Sequence, residues 1–521
     1  MKKNLTIILT FILFLCFFSC DNEKVFRYDL NSVPKNLDSQ MADDTSSKII
    51  LNHVMQGLLK EGDNGDLICD AALEYKISDN GKTYTFILKE NLKWSDGSQV
   101  VADDFVFAFE RIFLKETNAP DKSSFLCIKN AQAISNDEMD ISHLGVRAIN
   151  TNTLEIKLEN ANPRFLYTLT TTAAYPCKRD YFYSTKGKYG YNGENLLFNG
   201  VYIIQKKTDD YIQLAANPHN EQYEERQNTL IVFYTKQSND YQTRFLEEIT
   251  DFSQISQQLA SNLDSKKFDC FSFESSTWVL GFNQNVDLFK NQALRKAMFS
   301  AISEILPNTN GIEHYTIANG FVVSSIEIDS VPYRSLVDKL KINFNDNPKN
   351  YLSSALNQLE ITSLPKLTLI CPDEEFFKYY STYIQKSWKE KLGIIVNFVP
   401  LTEEEYYKTL YQGNFDLAIF PIAATENNPL SQLEKMLSNN NHNYIYYTSD
   451  VFQDLYNDVA KASTTEELAN KVYLLEQYLV EDAVILPLVF EKNYVAVNKS
   501  NIGIRFLPFG PKVDFKNADK K

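Results

Sequence analysis

Residues Leu92 to Ile112 read LKWSDGSQVVADDFVFAFERI, and their order decides how the surrounding chain is read. An extended segment ends at Trp94, Ser95-Asp96-Gly97 reverses the chain, and Asp103 and Asp104 open a helix. Phe105, Phe109, Ile112 and Phe113 then fall at i, i+4, i+7 and i+8, which is one face of a helix. Val101 stands at the helix cap, where its side chain cannot accept a bond from a first-turn N–H, at a cost of about 1 kcal/mol. Asp103 and Asp104 are expected to offset part of that loss through the helix dipole.

Upstream, Leu73, Tyr75 and Ile77 alternate, Asp79-Asn80-Gly81-Lys82 turns, and Tyr84, Phe86 and Leu88 alternate back, which reads as a hairpin. Downstream, Leu154, Ile156 and Leu158 alternate as in a half-exposed strand. Further on, Leu367 to Phe420 reads as strand, helix, strand, helix, strand. Gly393 and Gly413 stop the two helices, and Thr402 with Glu405 makes a capping box for the second. Such alternation suits right-handed parallel crossovers, hence an α/β lobe. Thr464 to Tyr478 reads as a capped helix and Ala483 to Phe490 as an apolar strand, while the tail from Asn517 is polar and expected to be mobile.

At its start the chain places Lys2 and Lys3 before the uncharged apolar run Leu5–Phe18, a run too short for a membrane span of roughly 20 residues. This is the pattern of a secretory signal. Cys20 follows the small Ser19 and opens a polar sequence, so lipidation at Cys20 is expected, with an uncleaved anchor or simple secretion as the alternatives. The later cysteines, Cys69, Cys127, Cys177, Cys270 and Cys371, are single and odd in number, which suits neither a disulfide framework nor a metal site. At 521 residues two or three domains are expected, and a net charge of −15 without a basic stripe argues against nucleic-acid binding. The five histidines are scattered and no G-x-S-x-G elbow occurs, so no catalytic residue, metal or cofactor is expected.

Trp94, Asp96, Gly97, Val100, Ala102 and Asp104 together resemble the signature of the extracellular solute-binding proteins of family 5, the peptide-binding lipoproteins of ABC importers. The resemblance continues through Leu37-Asp38, Gln56-Gly57-Leu58, Lys129-Asn130-Ala131, Asn199-Gly200-Val201-Tyr202, Asn217-Pro218, Leu294-Arg295-Lys296-Ala297 and Ile485-Leu486-Pro487. It implies a periplasmic-binding-protein-like type II fold: two α/β lobes joined by hinge strands, with an extra domain inserted in the first. The implied division is a signal at 1–20, a first lobe at 21–56, 182–272 and 488–521, an inserted domain at 57–181 and a second lobe at 273–487.

The same resemblance implies a monomer that captures an extended peptide between its lobes, closes by a hinge and delivers it to a membrane permease driven by an ATPase. Val33 to Lys35 would bind the peptide main chain on one side and Ile422 to Ala424 on the other, so Val33, Lys35, Ile422 and Ala423 enter the candidate site. Thr425 stands where the family places the aspartate that pairs with the ligand amine, and Asn427 matches a neighbouring mark. Glu426 beside it either reaches the cleft to take over that ion pair or faces solvent, and side-chain alternation leaves both open. Trp278 is a cleft-lining candidate with core packing as its alternative. Pro421 has no N–H for a paired peptide, so two other readings stay open: the same fold with a metal chelate, haem or glycan as ligand, or a surface lipoprotein that senses without transport.

Overall fold

The structure, a computed structural model, describes residues 23–62, 66–162, 165–191, 195–235, 240–302, 314–340, 347–459, 462, 464–509 and 512–521. Cys20 and the apolar run before it lie outside the described residues. Among the described residues no helix is long and apolar enough to cross a membrane.

Strand β1 (Lys24–Asp29) leads to helix α1 (Thr45–Val54), capped by the Asp44 carboxylate, which accepts from Ser47 N–H at 2.8 Å. The chain then builds β2 (Ala72–Ser78), β3 (Thr83–Leu88), helix α2 (Ala102–Phe113), β4 (Val146–Asn150) and β5 (Thr153–Lys157). These four strands form an antiparallel sheet in the order β2-β3-β5-β4. Its inner face, Tyr84, Phe86, Leu154 and Ile156, is buried in one core with Phe105, Phe109 and Ile112 of α2. With β6 (Tyr202–Lys207), β7 (Tyr211–Ala216) and β8 (Thr229–Tyr234) the chain completes a sheet in the order β1-β8-β7-β6.

One carboxylate organises the opening stretch. Asp104 accepts from Trp94 Nε1 and from the Val101 N–H, each at 3.0 Å, which is the return half of a capping box whose forward half the Val101 side chain has no oxygen to make. Gly97 sits at φ +82°, where its turn requires a left-handed residue. From the last turn of α2 the buried Arg111 forks onto Asp38 and donates to Gln40 Oε1 at 2.6 Å, with the Phe182 ring 4.1 Å from its guanidinium. Leu37-Asp38 and the signature helix are thus two halves of one buried ion pair.

After β9 (Phe252–Ile255) the chain enters β10 (Phe268–Phe282), a single strand of 15 residues. The second lobe follows: helix α3 (Gln292–Ser300), β11 (Tyr315–Ile317), β12 (Leu367–Pro372), helix α4 (Glu375–Leu392), β13 (Val396–Leu401), helix α5 (Glu403–Gln412), β14 (Leu417–Ala423) and helix α6 (Thr465–Glu481). Strand β15 (Ile485–Asn498) runs back as a second long crossing. The resulting sheet has the order β9-β15-β10-β14-β12-β13, with β11 on β15. β12 is parallel to both β13 and β14, as the alternation of strand and helix requires, and Gly393 and Gly413 end α4 and α5 at φ +71° and +67°. One face of this sheet buries Leu280, Leu369 and Ile419 against Leu294, Phe377 and Trp388, and the other buries Val279, Phe420 and Ile422 against Leu410 and Leu475.

The expectation of a mobile tail does not hold. Asp519–Lys520 pairs with Asn501–Ile502, Lys520 Nζ lies 2.6 Å from Asp251, and Asp519 lies 2.6 Å from Lys24. Nearby, His53 of α1 accepts from Phe515 N–H at 2.9 Å through Nε2 while Nδ1 meets Ile49 O at 2.7 Å, and complete burial lowers its pKa to about 4. Ordinary polar residues close a sheet edge here, which composition alone did not reveal.

Candidate functional site

β10 and β15 run side by side from the first lobe, where β9 joins them, to the second, where β14 does. Their ladder is interrupted between Glu274 and Ser276 and again between Trp278 and Val279. At the first interruption Glu274 is held from both sides. Its N–H donates to Ser325 Oγ at 2.7 Å, and its carboxylate accepts from Thr316 Oγ1 at 2.5 Å and from Ser324 N–H at 3.0 Å.

The segment that carries Ser324 and Ser325 is itself tied to the second lobe. The fully buried Glu476 of α6 accepts from Phe321 N–H at 2.8 Å, Val322 N–H at 2.7 Å and Tyr333 Oη at 2.6 Å, and forms an ion pair with Arg334. Gln432 accepts from Val323 N–H at 2.9 Å.

β14 lies next to this crossing, paired with β10. Asn283 N–H donates to Asp416 O and Ala424 N–H donates to Ser275 O, which fixes the even-numbered residues of β14 as those bonded to β10. Ile419, Pro421 and Ala423 therefore direct their main-chain groups to the opposite edge. β12 pairs there only with Leu417 and Ala418, and Tyr406 Oη donates to Ile419 O at 2.7 Å. Beyond that point the edge presents the Pro421 carbonyl and the Ala423 N–H, while the Ala423 carbonyl accepts from Lys435 Nζ. Pro421 is tolerated inside the strand because its missing N–H falls on this edge and not in the ladder with β10.

The residues singled out from the sequence are distributed as follows. Ala423 is exposed on the open edge, and Thr425 just beyond it is also exposed. Ile422, expected to offer main-chain bonds, instead buries its side chain in the core, faces β10, and gives its carbonyl to Gln432 Nε2 at 2.7 Å. Trp278 has its rings 4.3 Å from those of Phe377 and donates Nε1 to Glu491 at 3.2 Å, so it packs beside the crossing with 6% of its surface exposed. Asn427 uses Oδ1 to accept from Glu327 N–H at 2.9 Å. Val33 and Lys35 stand exposed on the first-lobe segment between β1 and α1, and the Lys35 N–H donates to Asp44 at 3.3 Å.

Glu426 is buried, and it bears on groups distant in the chain. Burial first, and then Glu426, push the carboxyl of Glu61 up to about 7. Burial followed by Glu426, Asp329, Glu61 and Asp66 raises Tyr167 to about 12. Next to Tyr167 lies a cavity of about 410 Å³ lined by Asp329, Asn427, Pro429, Thr464 and Leu468 among others.

Sequence reasoning missed Glu61, Tyr167, Gln432, Lys435 and Glu476. The last three share a signal: each is a polar residue set among apolar positions of a helical stretch, such as Leu430, Leu433 and Met436 around Gln432 and Lys435.

The family model described as Bacterial extracellular solute-binding proteins, family 5 Middle, matches residues 66–444. The chain belongs to this solute-binding family. Among its relatives, the dipeptide-binding protein DppE of Bacillus subtilis (strain 168) is 22% identical over 512 residues, covering 96% of this chain and 92% of its own. The periplasmic murein peptide-binding protein MppA of Escherichia coli (strain K12) is 24% identical over 492 residues, covering 90% and 88%. Among solved structures, Listeria monocytogenes OppA bound to peptide superposes with a TM-score of 0.70 at 21% identity, covering 96% of this chain and 99% of that one. The two-lobed fold of family 5 solute-binding proteins is therefore the fold of this chain, whose family works by holding a solute.

Proposed function

We propose that this chain is the extracytoplasmic substrate-binding subunit of an ABC importer, and that it captures peptides between its lobes and delivers them to a membrane permease and its ATPase. It does so as a monomer without catalysis, tethered to the membrane by lipid on Cys20. The observation that carries the reading is the open edge of β14 beside the crossing strands, where the Pro421 carbonyl and Ala423 N–H point outward for a ligand main chain. Family membership and the peptide-binding relatives support it.

In this reading Ala423 pairs with the ligand, Val33 and Lys35 approach it from the first lobe, and Thr425, Asn427 and Trp278 shape the walls. Ile422 supports the edge from the core side. Glu426 attracts a positive group of the ligand, since a cation entering between Glu426 and Glu61 relieves their mutual repulsion. The division into a first lobe (21–56, 182–272, 488–521), an inserted domain (57–181) and a second lobe (273–487) belongs to the same reading, and the separate sheets support it. Pro421, lacking an N–H, favours as second reading a non-peptide ligand on the same fold.

Native mass spectrometry of the chain from Asp21, produced without lipid, tests the function. A ladder of added masses spaced like short peptides is the expected result. A bare protein that stays bare with added peptide mixtures would move the assignment to a non-peptide ligand or a sensor.

A further inference from the structure

β14 ends at Ala423, and the loop that follows it runs along the cavity of about 410 Å³ beside Tyr167. That volume lies within the roughly 300–1,000 Å³ of small-molecule sites. Its lining has two characters. Ile328, Leu430 and Leu468 are apolar, while Glu327 and Asp329 bring carboxylates, and none of the described residues that line it is a lysine or an arginine.

Asp329 sits at φ +50° in the turn between Glu327–Ile328 and Val331–Pro332, and its carboxylate accepts from Thr465 Oγ1 at 2.5 Å. Glu426, Glu61 and Asp66 add negative charge around Tyr167. The start of α6 at Thr464, which could otherwise draw an anion, is closed by its own residues: Thr464 Oγ1 accepts from Glu467 N–H at 3.1 Å, and Glu466 and Glu467 occupy the first turn. An alkyl chain ending in a cation matches both characters of the lining, because its methylenes cover apolar surface while its charged head stays with the polar groups.

We propose that this cavity is the pocket for the side chain of the first ligand residue and that it selects lysine or arginine there. The inference rests on the peptide-binding reading, with the α-amine as the positive group drawn to Glu426. The next residue of the chain, Asn427, lines the cavity, so a ligand whose amine lies at Glu426 has this space before its first side chain.

Titration calorimetry with lysyl-alanyl-alanine, norleucyl-alanyl-alanine and alanyl-alanyl-lysine tests this on the wild type and on the double variant Glu327→Gln with Asp329→Asn. Norleucine keeps the alkyl chain and lacks the ammonium. The substitutions spare the backbone, since asparagine tolerates the left-handed region and the Glu327 bond to Asn427 is made by its main-chain N–H. The wild type is expected to bind the lysyl peptide at least about tenfold more tightly than the norleucyl one, since charge-assisted bonds are made only by the former. The double variant is expected to shrink that ratio below about threefold while binding the norleucyl peptide within about threefold of wild type, which also shows that the site is still folded. Equal wild-type affinity for the lysyl and norleucyl peptides would overturn the proposal and leave the peptide reading standing. A double variant that keeps the lysyl preference, or tightest binding of alanyl-alanyl-lysine, would overturn it as well. If none of the three peptides binds the wild type, the peptide reading itself falls and takes the proposal with it.

Discussion

Replacing Glu476 with Gln should loosen the second lobe at its contact with the crossing strands. The carboxylate, fully buried, gathers Phe321 N–H, Val322 N–H, the Tyr333 hydroxyl and the Arg334 guanidinium. An amide keeps one acceptor oxygen but turns an NH₂ toward donors and leaves Arg334, itself mostly buried, without its counter-charge. Breaking one side of a buried ion pair costs about 3–5 kcal/mol. A second substitution separates the causes. In Glu476→Gln with Arg334→Met the stranded charge is gone and the amide oxygen can accept from both backbone N–H groups, which share one carboxylate oxygen, yet the Val322 carbonyl loses its two Arg334 donors, which costs about 1–3 kcal/mol. The double variant should therefore recover part of the loss and not all of it. Urea midpoints of the single and double variants measure both quantities, and amide exchange at Phe321 and Val322 reports how tightly the segment is still held. A single variant within about 1 kcal/mol of wild type, or a double variant restored to the wild-type urea midpoint, would refute the account of Glu476 and Arg334 as the tie that holds this segment.

Acid should weaken the first lobe through His53. Its folded value of about 4 lies below the usual 6.5, so between those pH values the unfolded chain binds a proton that the folded chain refuses. Stability falls as pH drops through that window, by up to about 3 kcal/mol, and a His53→Gln variant should show a flatter urea midpoint between pH 4.5 and 7. Asp104→Ala removes the acceptor shared by Trp94 and Val101 and should cost about 2–3 kcal/mol, visible as a lower urea midpoint with a quenched or shifted Trp emission. Glu426→Gln should weaken peptide binding by more than about tenfold in calorimetry, and an unaltered affinity would remove Glu426 from the site.

Much of this architecture was legible because local chemistry announced it. Gly393 and Gly413 end helices in the left-handed region, Thr464 caps α6 through Glu467 N–H at 3.1 Å, and the 72–88 hairpin turns where Asn80-Gly81 stands. The crossing strand was harder. Its middle, Glu274-Ser275-Ser276-Thr277, is polar and resembles a loop in composition, because a strand that bridges two cores has no core of its own at the bridge. The pattern reading ends this strand at Phe420, whereas β14 continues to Ala423, since a proline is accommodated where its missing N–H falls on the unpaired edge, and that depends on register. Thr402 donates to Glu405 at 2.9 Å instead of capping the backbone, a choice that sequence spacing does not encode. At the site, Lys435 and Glu476 escaped notice because long-range pairing gives them their roles, over 12 residues to Ala423 and over 142 to Arg334.

The fastening of Lys24 to Asp519 at the start of β1 has a mechanical consequence. A lipid on Cys20 would sit only four residues from that fixed point, a leash of at most about 14 Å. So short a leash leaves the first lobe moored close to the bilayer, and the swing of closure would fall to the second lobe and its ligand edge. The protein would then present its moving half, rather than its anchored one, to whatever waits in the membrane plane.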